Sequence, residues 1–328
     1  MALSKIEVPS LDVGQLGSRN LLINGDFKIS QRGDYTSATS VAHNQLYVDR
    51  WVVRLTNVTA NIQHIVGSHS SPGYPYKASN SLRLTATSTA TGLLRHLQRV
   101  EGFLDGQTLT FSAWVKSNSP NARLFQYQHD GAYRVSSTPH SGNGGWEFLS
   151  VTATNAATTT NNLYFDAAIG SSTFTNIGIT SGEYIEISEA QVEISDAPTP
   201  FEHESIGTTL QKCQRYFYKV GGTSGYPTIF PAYAPSTGEL AIMATFPVTM
   251  RTTPSVSWEN NNNLTFRRAG NGSHDWAPND VNALSLGELR AHGGAIWFGG
   301  FSHGQDTLGV GHVRVSNGSN HLRFDAEL

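Results

Sequence analysis

Short stretches in which hydrophobic and polar residues alternate follow one another from Leu21 to about residue 195. A period of two predicts β-strands with one buried and one exposed face. In "QTLTFSAWVKSN" one face carries Leu109, Phe111, Ala113 and Val115, whereas Trp114 shares the other face with Ser and Thr. The predicted strands are Tyr47–Thr56, Ser81–Ser88, Gln107–Asn118, Trp146–Thr154, Leu163–Gly170 and Glu183–Ser195.

Clusters of Gly, Asn, Ser and Pro separate these stretches, as turns between strands require. Charged residues make up 14% of the chain, against about 25% in an average globular protein. Ser, Thr, Asn and Gly take the place of the missing charged residues. This composition favours turn-rich β structure over long surface helices, which usually carry Glu/Lys pairs. The pattern therefore predicts a β-sandwich or jelly roll.

A break follows at "SDAPTPFEHES", whose prolines oppose strand pairing. "IGTTLQKCQRYF" predicts one short helix with Ser205 or Thr208 as its N-cap. The rest returns to β character, and its last strand ends the chain, so we expect the C-terminus to be part of a sheet. The strands predicted there lie within Leu240–Trp258, Ala295–Phe301, Gly311–Ser316 and His321–Leu328.

The predicted organisation is all-β, a jelly-roll sandwich followed by a smaller C-terminal β domain. Residues 1–19 form a separate N-terminal segment, and the sandwich covers 20–203. Residues 204–221 form a linker with the short helix and a first strand, and 222–328 form the distal β domain.

Charge and composition exclude several classes of protein. The formal net charge is -3 and the pI about 6.4, and no basic patch stands out in the sequence, which argues against nucleic-acid binding. No apolar run approaches the roughly 18 residues of a membrane span. The N-terminus lacks the apolar stretch of a secretory signal, and Cys213 is the only cysteine, which excludes an intrachain disulfide. We therefore expect synthesis in a reducing cytosol, or export by another route.

The sequence offers no convincing catalytic residue. "GFSHG" at 300–304 matches the nucleophile elbow around Ser302, but the residues after it do not predict the helix that an elbow requires. The 12 histidines form no zinc motif. We expect no enzymatic activity.

"NLLINGDF" followed by "YVDRW" resembles the start of jelly-roll carbohydrate-binding modules and of their relatives in bacteriophage tail fibres. "AQVEISDAPTPFE" followed by "CQRYFYK" resembles the closing strand of that jelly roll and its passage into a C-terminal fibre domain. "FPVTMRTTPSVSW" and "FDAEL" resemble that last domain, and "MALSKIEVPSL" is similar to the N-terminal segments of many tail fibres.

This resemblance implies a phage tail fibre or receptor-binding protein that attaches the virion to a host cell-surface glycan or another receptor. Residues 1–19 would dock on tail or baseplate proteins, and the chain would form a homotrimer. No cofactor, nucleic acid or membrane insertion is implied. Two other functions stay open at this point, a polysaccharide depolymerase (glycoside hydrolase or lyase) and a purely structural tail component.

The resemblance also implies a candidate metal site. Related modules hold a structural calcium through carboxylate and backbone oxygens, and the matching positions here are Asp26 and Glu189. The closing strand reads "SEAQ" where related modules often carry Asp, which weakens the match.

Aromatic residues are the best candidates for ligand binding, because a sugar ring packs its C–H groups on an aromatic face. Trp276 lies in the polar stretch "NGSHDWAPND", where it is either exposed or folded back as an anchor. The predicted ligand-binding residues, all in the distal domain, are Trp276, Asp275, His274, Asp280, Tyr233 and Trp297.

Overall fold

The chain folds into two compact units, one up to Thr209 and one from Leu210 onward. The structure is a computed structural model. It describes residues 18–70, 78–101, 104, 106–128, 134–155, 163–221, 228–236, 239–258, 264–268, 275–276, 283–285, 288–299, 309–315 and 321–327.

The first unit is a sandwich of two antiparallel sheets. Its strands are β1 (Thr39–Val41), β2 (Gln45–Leu46), β3 (Val52–Thr56), β4 (Ala60–Ser70), β5 (Ala78–Ala86), β6 (Ala90–Val100), β7 (Thr108–Ser117), β8 (Ala122–Gln128), β9 (Arg134–Ser136), β10 (Trp146–Thr154), β11 (Leu163–Ile169), β12 (Ile177–Ile179) and β13 (Tyr184–Ile194). One sheet has six strands in the order β1-β4-β5-β13-β7-β10; the other has seven, in the order β2-β3-β6-β11-β8-β9 with β12 paired to β6. We call them the first and the second sheet.

The core lies between these two sheets. Leu109, Phe111, Ala113 and Val115 of β7 are fully buried in it, on the face that the alternation predicts. Trp51 is also fully buried, and its Nε1 donates to the carbonyl of Asn24 at 3.1 Å.

The segment "NLLINGDF" closes the sandwich against β13. The Nδ2 of Asn20 donates to the carbonyl of Ala190 at 3.0 Å, and its Oδ1 accepts from the backbone N–H of Leu22 and of Val192. Asn20 is buried, so the packed part of the chain includes the residue at which the domain is predicted to begin.

Helix α1 (Ile206–Gln214) follows the sandwich. The Oγ of Ser205 accepts from the backbone N–H of Thr208 at 3.2 Å, which makes Ser205 the N-cap. Among the described residues, no helix is long and apolar enough to cross a bilayer.

The second unit contains the remaining strands, β14 (Phe217–Gly221), β15 (Thr228–Ser236), β16 (Glu239–Thr245), β17 (Ser255–Trp258), β18 (Leu264–Arg268), β19 (Asp275–Trp276), β20 (Ala283–Ser285), β21 (Gly293–Gly299), β22 (Gly309–Val315) and β23 (His321–Asp325). They form a three-stranded sheet β14-β23-β17 and a seven-stranded sheet β19-β18-β22-β15-β16-β21-β20. β23 pairs with β14 on one side and with β17 on the other, so the strand predicted within His321–Leu328 is confirmed over His321–Asp325. The predicted all-β fold is confirmed as well.

Candidate functional site

The outward face of the first sheet carries three aromatic side chains on neighbouring strands. Phe148 of β10 lies directly opposite Trp114 of β7, and Trp146 lies opposite Lys116. Because Ala113 and Val115 point into the core, Trp114 and Lys116 point outward. Directly opposite residues share a face of the sheet. We call Trp114, Trp146 and Phe148 the aromatic strip.

Two rings of the strip contact each other, the third contacts a lysine, and all three remain partly accessible. Trp114 and Phe148 meet edge to face, with their ring centroids 5.4 Å apart. The Nζ of Lys116 lies 6.0 Å from the ring centre of Trp146, a cation–π contact. Phe148 is 45% exposed, and the two tryptophans are half-buried. Each ring therefore offers part of its surface to a ligand while its neighbour holds it in place.

A fixed polar border lies beside the strip on β13. Glu186 stands opposite Lys116, and Ser188 stands opposite Trp114. Arg83 donates to Glu186 Oε2 through Nε at 2.8 Å and a terminal nitrogen at 2.6 Å. Arg83 also covers the ring of Tyr184 at 4.5 Å. Arg83 and Glu186 neutralise each other, so this surface has little net charge.

The loop before β10 is ordered by the carboxylate of Glu147. It accepts from the backbone N–H of Ser141 at 3.0 Å and from the Nδ2 of Asn143 at 3.1 Å. It also accepts from the Ser141 hydroxyl, and that hydrogen bond lowers the pKa of Glu147. This network fixes the start of β10 and with it the position of Trp146.

The arrangement provides what a sugar needs. Exposed rings on a paired strand lose little conformational freedom on binding, and they offer flat apolar area to the C–H face of a pyranose. Glu186 and Ser188 are buried, so the polar groups on this face that can reach sugar hydroxyls are the partly exposed side chains of Arg83 and Lys116.

Sequence reasoning missed this strip, although the signal was present. Trp114 lies at a polar position of a clearly amphipathic strand, and Phe148 occupies the corresponding position of β10. An aromatic residue on the predicted solvent face is the cue. Only the register shows that the two residues are neighbours.

Two of the predicted ligand-binding residues lie together in the second unit. The rings of Tyr233 and Trp297 meet edge to face, with centroids 5.8 Å apart. Both flank Ala241 in one row across the sheet, and both are half-buried. They form a small aromatic pair on the face opposite the core.

The structure does not bring Trp276 to that pair. Asp275 and Trp276 form the short strand β19, with Trp276 paired to Phe266, where the sequence predicts a loop without strand pattern. Backbone pairing with β18 accounts for the difference, since periodicity within one segment does not reveal which other segment it pairs with. β19 is an edge strand, three strand spacings from β15, or roughly 14 Å. His274, Asp280 and the nucleophile-elbow match at 300–304 lie outside the described residues.

The predicted metal pair lies where the stretch "NLLINGDF" meets β13. Asp26 is buried and pairs with the Nζ of Lys28. Glu189 is buried too, and its Oε1 accepts from the Ser79 hydroxyl at 2.7 Å. Within the described residues, no three His, Cys, Asp or Glu side chains are grouped to hold a metal ion. The calcium site stays a prediction.

No protein-family model matches the chain, and no curated protein matches it. Solved structures with related architecture include the enzymatically active domain of bacteriophage CBA120 tailspike protein 4, at 14% identity and a TM-score of 0.34 over 54% of this chain and 21% of that one. A family 16 carbohydrate-binding module matches 42% of this chain and 85% of its own, at 12% identity and a TM-score of 0.25.

A family 11 carbohydrate-binding module of a Clostridium thermocellum cellulosomal cellulase matches 51% of this chain and 99% of its own, at 14% identity and a TM-score of 0.27. The match thus spans about a fifth of the tailspike chain and nearly all of this module. Scores this low do not indicate a shared ligand or a shared site.

Proposed function

We propose that this protein is an adhesin that binds a surface glycan through the aromatic strip. The observation that carries the proposal is the edge-to-face pair of Trp114 and Phe148 on the outward face of a paired sheet. The near-neutral border formed by Arg83 and Glu186 suits an uncharged sugar.

The motifs of the sequence support a role for this adhesin on a bacteriophage, as a tail fibre or receptor-binding protein of the virion. Its partners would be a host surface glycan or receptor, tail or baseplate proteins docked on residues 1–19, and two further copies in a homotrimer. Three linked copies would multiply weak sugar contacts into firm attachment. We propose attachment without a chemical step.

The test is a glycan array and a cell-adsorption assay with Trp114→Ala and Phe148→Ala. Each substitution should weaken binding roughly threefold to tenfold per site, which corresponds to the energy of one aromatic contact. The thermal midpoint should change little for Phe148→Ala, because this ring is 45% exposed.

The matched control is Val66→Ala, a change at a 68% exposed apolar residue of the same sheet. It should leave binding unchanged. The proposal is wrong if both ring variants bind like the wild type, or if the wild type releases reducing ends from the bound glycan.

A further inference from the structure

The outward face of the second sheet carries an unusual number of arginines. Arg54, Arg95 and Arg123 lie in one row across β3, β6, β11 and β8, with Ala168 between the last two. A second row contains Arg99, Tyr164, Tyr127 and Arg134 on β6, β11, β8 and β9. We call the five arginines of these rows the arginine face.

The arginine face has a large excess of positive charge. Asp166 is the only carboxylate in the sequences of these five strands. Five guanidinium groups therefore accompany one carboxylate, although the chain as a whole has a net charge of -3. A concentration of one sign on one face is expected where a ligand of the opposite sign binds.

At the centre of the arginine face, Arg95 is held in a fixed position and pairs with Asp166, the one carboxylate of these strands. Arg95 donates from Nε to Asp166 Oδ2 at 2.7 Å and from a terminal nitrogen to the Tyr127 hydroxyl. Its guanidinium also packs 4.4 Å from the ring centre of Phe174. Tyr127 stacks on Tyr164 with their ring centres 5.2 Å apart.

Among the described residues, the other four arginines form no ion pair with a carboxylate, although Arg54 also interacts electrostatically with Asp166. Arg54 donates to the side-chain oxygen of Asn44 and lies 5.2 Å from the ring centre of Tyr164. Arg123 donates to the carbonyl of Ser137. A guanidinium has five N–H donors, so most donors on this face are still available.

Two of those donors are both buried and unsatisfied. Within the described part of the chain, the Nε atoms of Arg99 and Arg123 have no hydrogen-bond partner. A buried donor on a charged group is costly to leave unpaired. These two atoms are shielded from solvent, so an anion would bind through the terminal nitrogens of the partly exposed Arg99 and Arg123 side chains.

We infer that the arginine face is a second binding site, for a polysaccharide that carries carboxylates. Arg54 and Arg123 are three strand spacings apart, as are Arg99 and Arg134, or roughly 14 Å. No single carboxylate spans that distance, whereas a polymer with a charge on successive sugars does. The planar fork of arginine matches a carboxylate with two parallel hydrogen bonds.

A nucleic acid fits this face less well. Tyr127 and Tyr164 are buried, so they offer no exposed ring on which bases could stack. They act instead as supports that hold the guanidinium groups of Arg54 and Arg95 in place. The site lies on the sheet opposite the aromatic strip and does not depend on the proposed function.

The test is calorimetric titration of the full chain with polygalacturonate at 50 and 300 mM NaCl. Affinity should fall steeply with salt, because ion pairs are screened. Arg54→Gln/Arg123→Gln and Arg99→Gln/Arg134→Gln should each weaken binding at least tenfold at low salt. Arg54→Lys/Arg123→Lys should recover only part of the loss, since lysine keeps the charge and lacks the fork.

Two controls and one single variant test whether the polymer binds at the arginine face itself. Arg290→Gln/Lys219→Gln removes the same charge from the second unit and should leave binding unchanged. Val66→Ala, at a 68% exposed residue of the first sheet, should bind polygalacturonate like the wild type. Arg134→Gln alters an exposed side chain and should not disturb folding. It should weaken binding of polygalacturonate, so it tests the site even if a double variant folds poorly.

The inference is overturned if Arg134→Gln and the double variants bind as tightly as the wild type. It is also overturned if the charge-matched control loses as much affinity as they do, or if single-stranded DNA binds more tightly than polygalacturonate at equal salt.

Discussion

At the scale of single residues, His96 shows how the sandwich core constrains ionisation. Its side chain is fully buried between the sheets, and its Nδ1 shares a hydrogen bond with the Tyr47 hydroxyl. Burial lowers the pKa of His96 to about 3, and burial also lowers the pKa of His64. Both imidazoles are therefore neutral in the folded protein at neutral pH.

This burial predicts a loss of stability in mild acid. An imidazole in the unfolded chain takes up a proton near its ordinary pKa of 6.5, whereas His96 does so only near pH 3. The stabilising effect of the neutral folded form is thus lost as the pH falls from 6.5 toward 3. At pH 5, His96 alone should lower the free energy of unfolding by about 2 kcal/mol.

Urea denaturation of the wild type and of His96→Gln at pH 7 and pH 5 measures this effect. The variant should lose less stability between the two pH values than the wild type. An NMR titration supplies an independent check, and protonation of His96 above pH 5 in the folded protein would contradict the assignment.

At the scale of elements, the crossing of "NLLINGDF", Asn20 to Phe27, over β13 depends on close backbone approach. The register of β13 shifts between Ser188 and Gln191, and Glu189 there has a φ of 51°. The backbone N–H of Ala190 donates to the carbonyl of Gly25 at 2.9 Å. A Cβ on Gly25 would lie 2.1 Å from the carbonyl oxygen of Ala190.

Gly25→Ala should therefore destabilise the sandwich by at least about 2 kcal/mol, because neither backbone can move without breaking the crossing. Thermal unfolding followed by circular dichroism measures the loss. The matched control is Gly178→Ala in β12, where a Cβ would meet nothing within 4 Å. If the two variants have the same thermal midpoint, the crossing tolerates a side chain at position 25 and the prediction is wrong.

Two residues of the predicted N-terminal segment contact the packed part of the first unit. The predicted segment ends at residue 19, yet the Oγ of Ser18 donates to Glu204 at 3.1 Å and a guanidinium nitrogen of Arg19 donates to the carbonyl of Pro200. These two residues therefore contact the packed sandwich.

Deleting residues 1–17 should leave both the thermal midpoint and glycan binding unchanged, while incorporation into tails is lost. Deleting 1–19 should in addition lower the midpoint by a few degrees, since the contacts of Ser18 and Arg19 disappear. If the variant that lacks residues 1–17 is still incorporated into tails normally, the proposed docking role is wrong.

At the scale of the whole molecule, the second unit exposes apolar side chains around its aromatic pair. Val310 lies opposite Tyr233 and is 72% exposed, and Met243 is 47% exposed. Both share the outward face with Trp297. Contiguous apolar surface of this kind commonly marks an interface, and symmetric copies are one way to cover it.

The proposed homotrimer gives this face a partner. Light scattering should then report about three times the 35.5 kDa chain mass, and Val310→Lys/Met243→Lys should reduce it to that of one chain. Val66→Lys, at a 68% exposed residue of the first unit, is the control and should leave the mass unchanged. A wild-type monomer at micromolar concentration would refute the trimer.

The sequence predicted strands well where hydrophobic and polar residues alternate along the chain. β7, β10 and β13 match their predicted stretches closely, because their alternation is visible in the residues themselves. β4, β6 and β8 were not predicted. In β6 nearly every residue is buried, with Arg95 paired to Asp166 and His96 packed near Tyr47, so its polar residues no longer mark a solvent face.

The sequence by itself determined the all-β class, the helix with its Ser205 cap and the inward face of the amphipathic strands. These follow from local periodicity and local hydrogen bonding. Only the tertiary structure decided that Trp114 meets Phe148 and that Arg54 shares a row with Arg123. The reason is that strand order and register are set by pairing between distant segments. Both proposed sites therefore emerge only when the sheets are assembled.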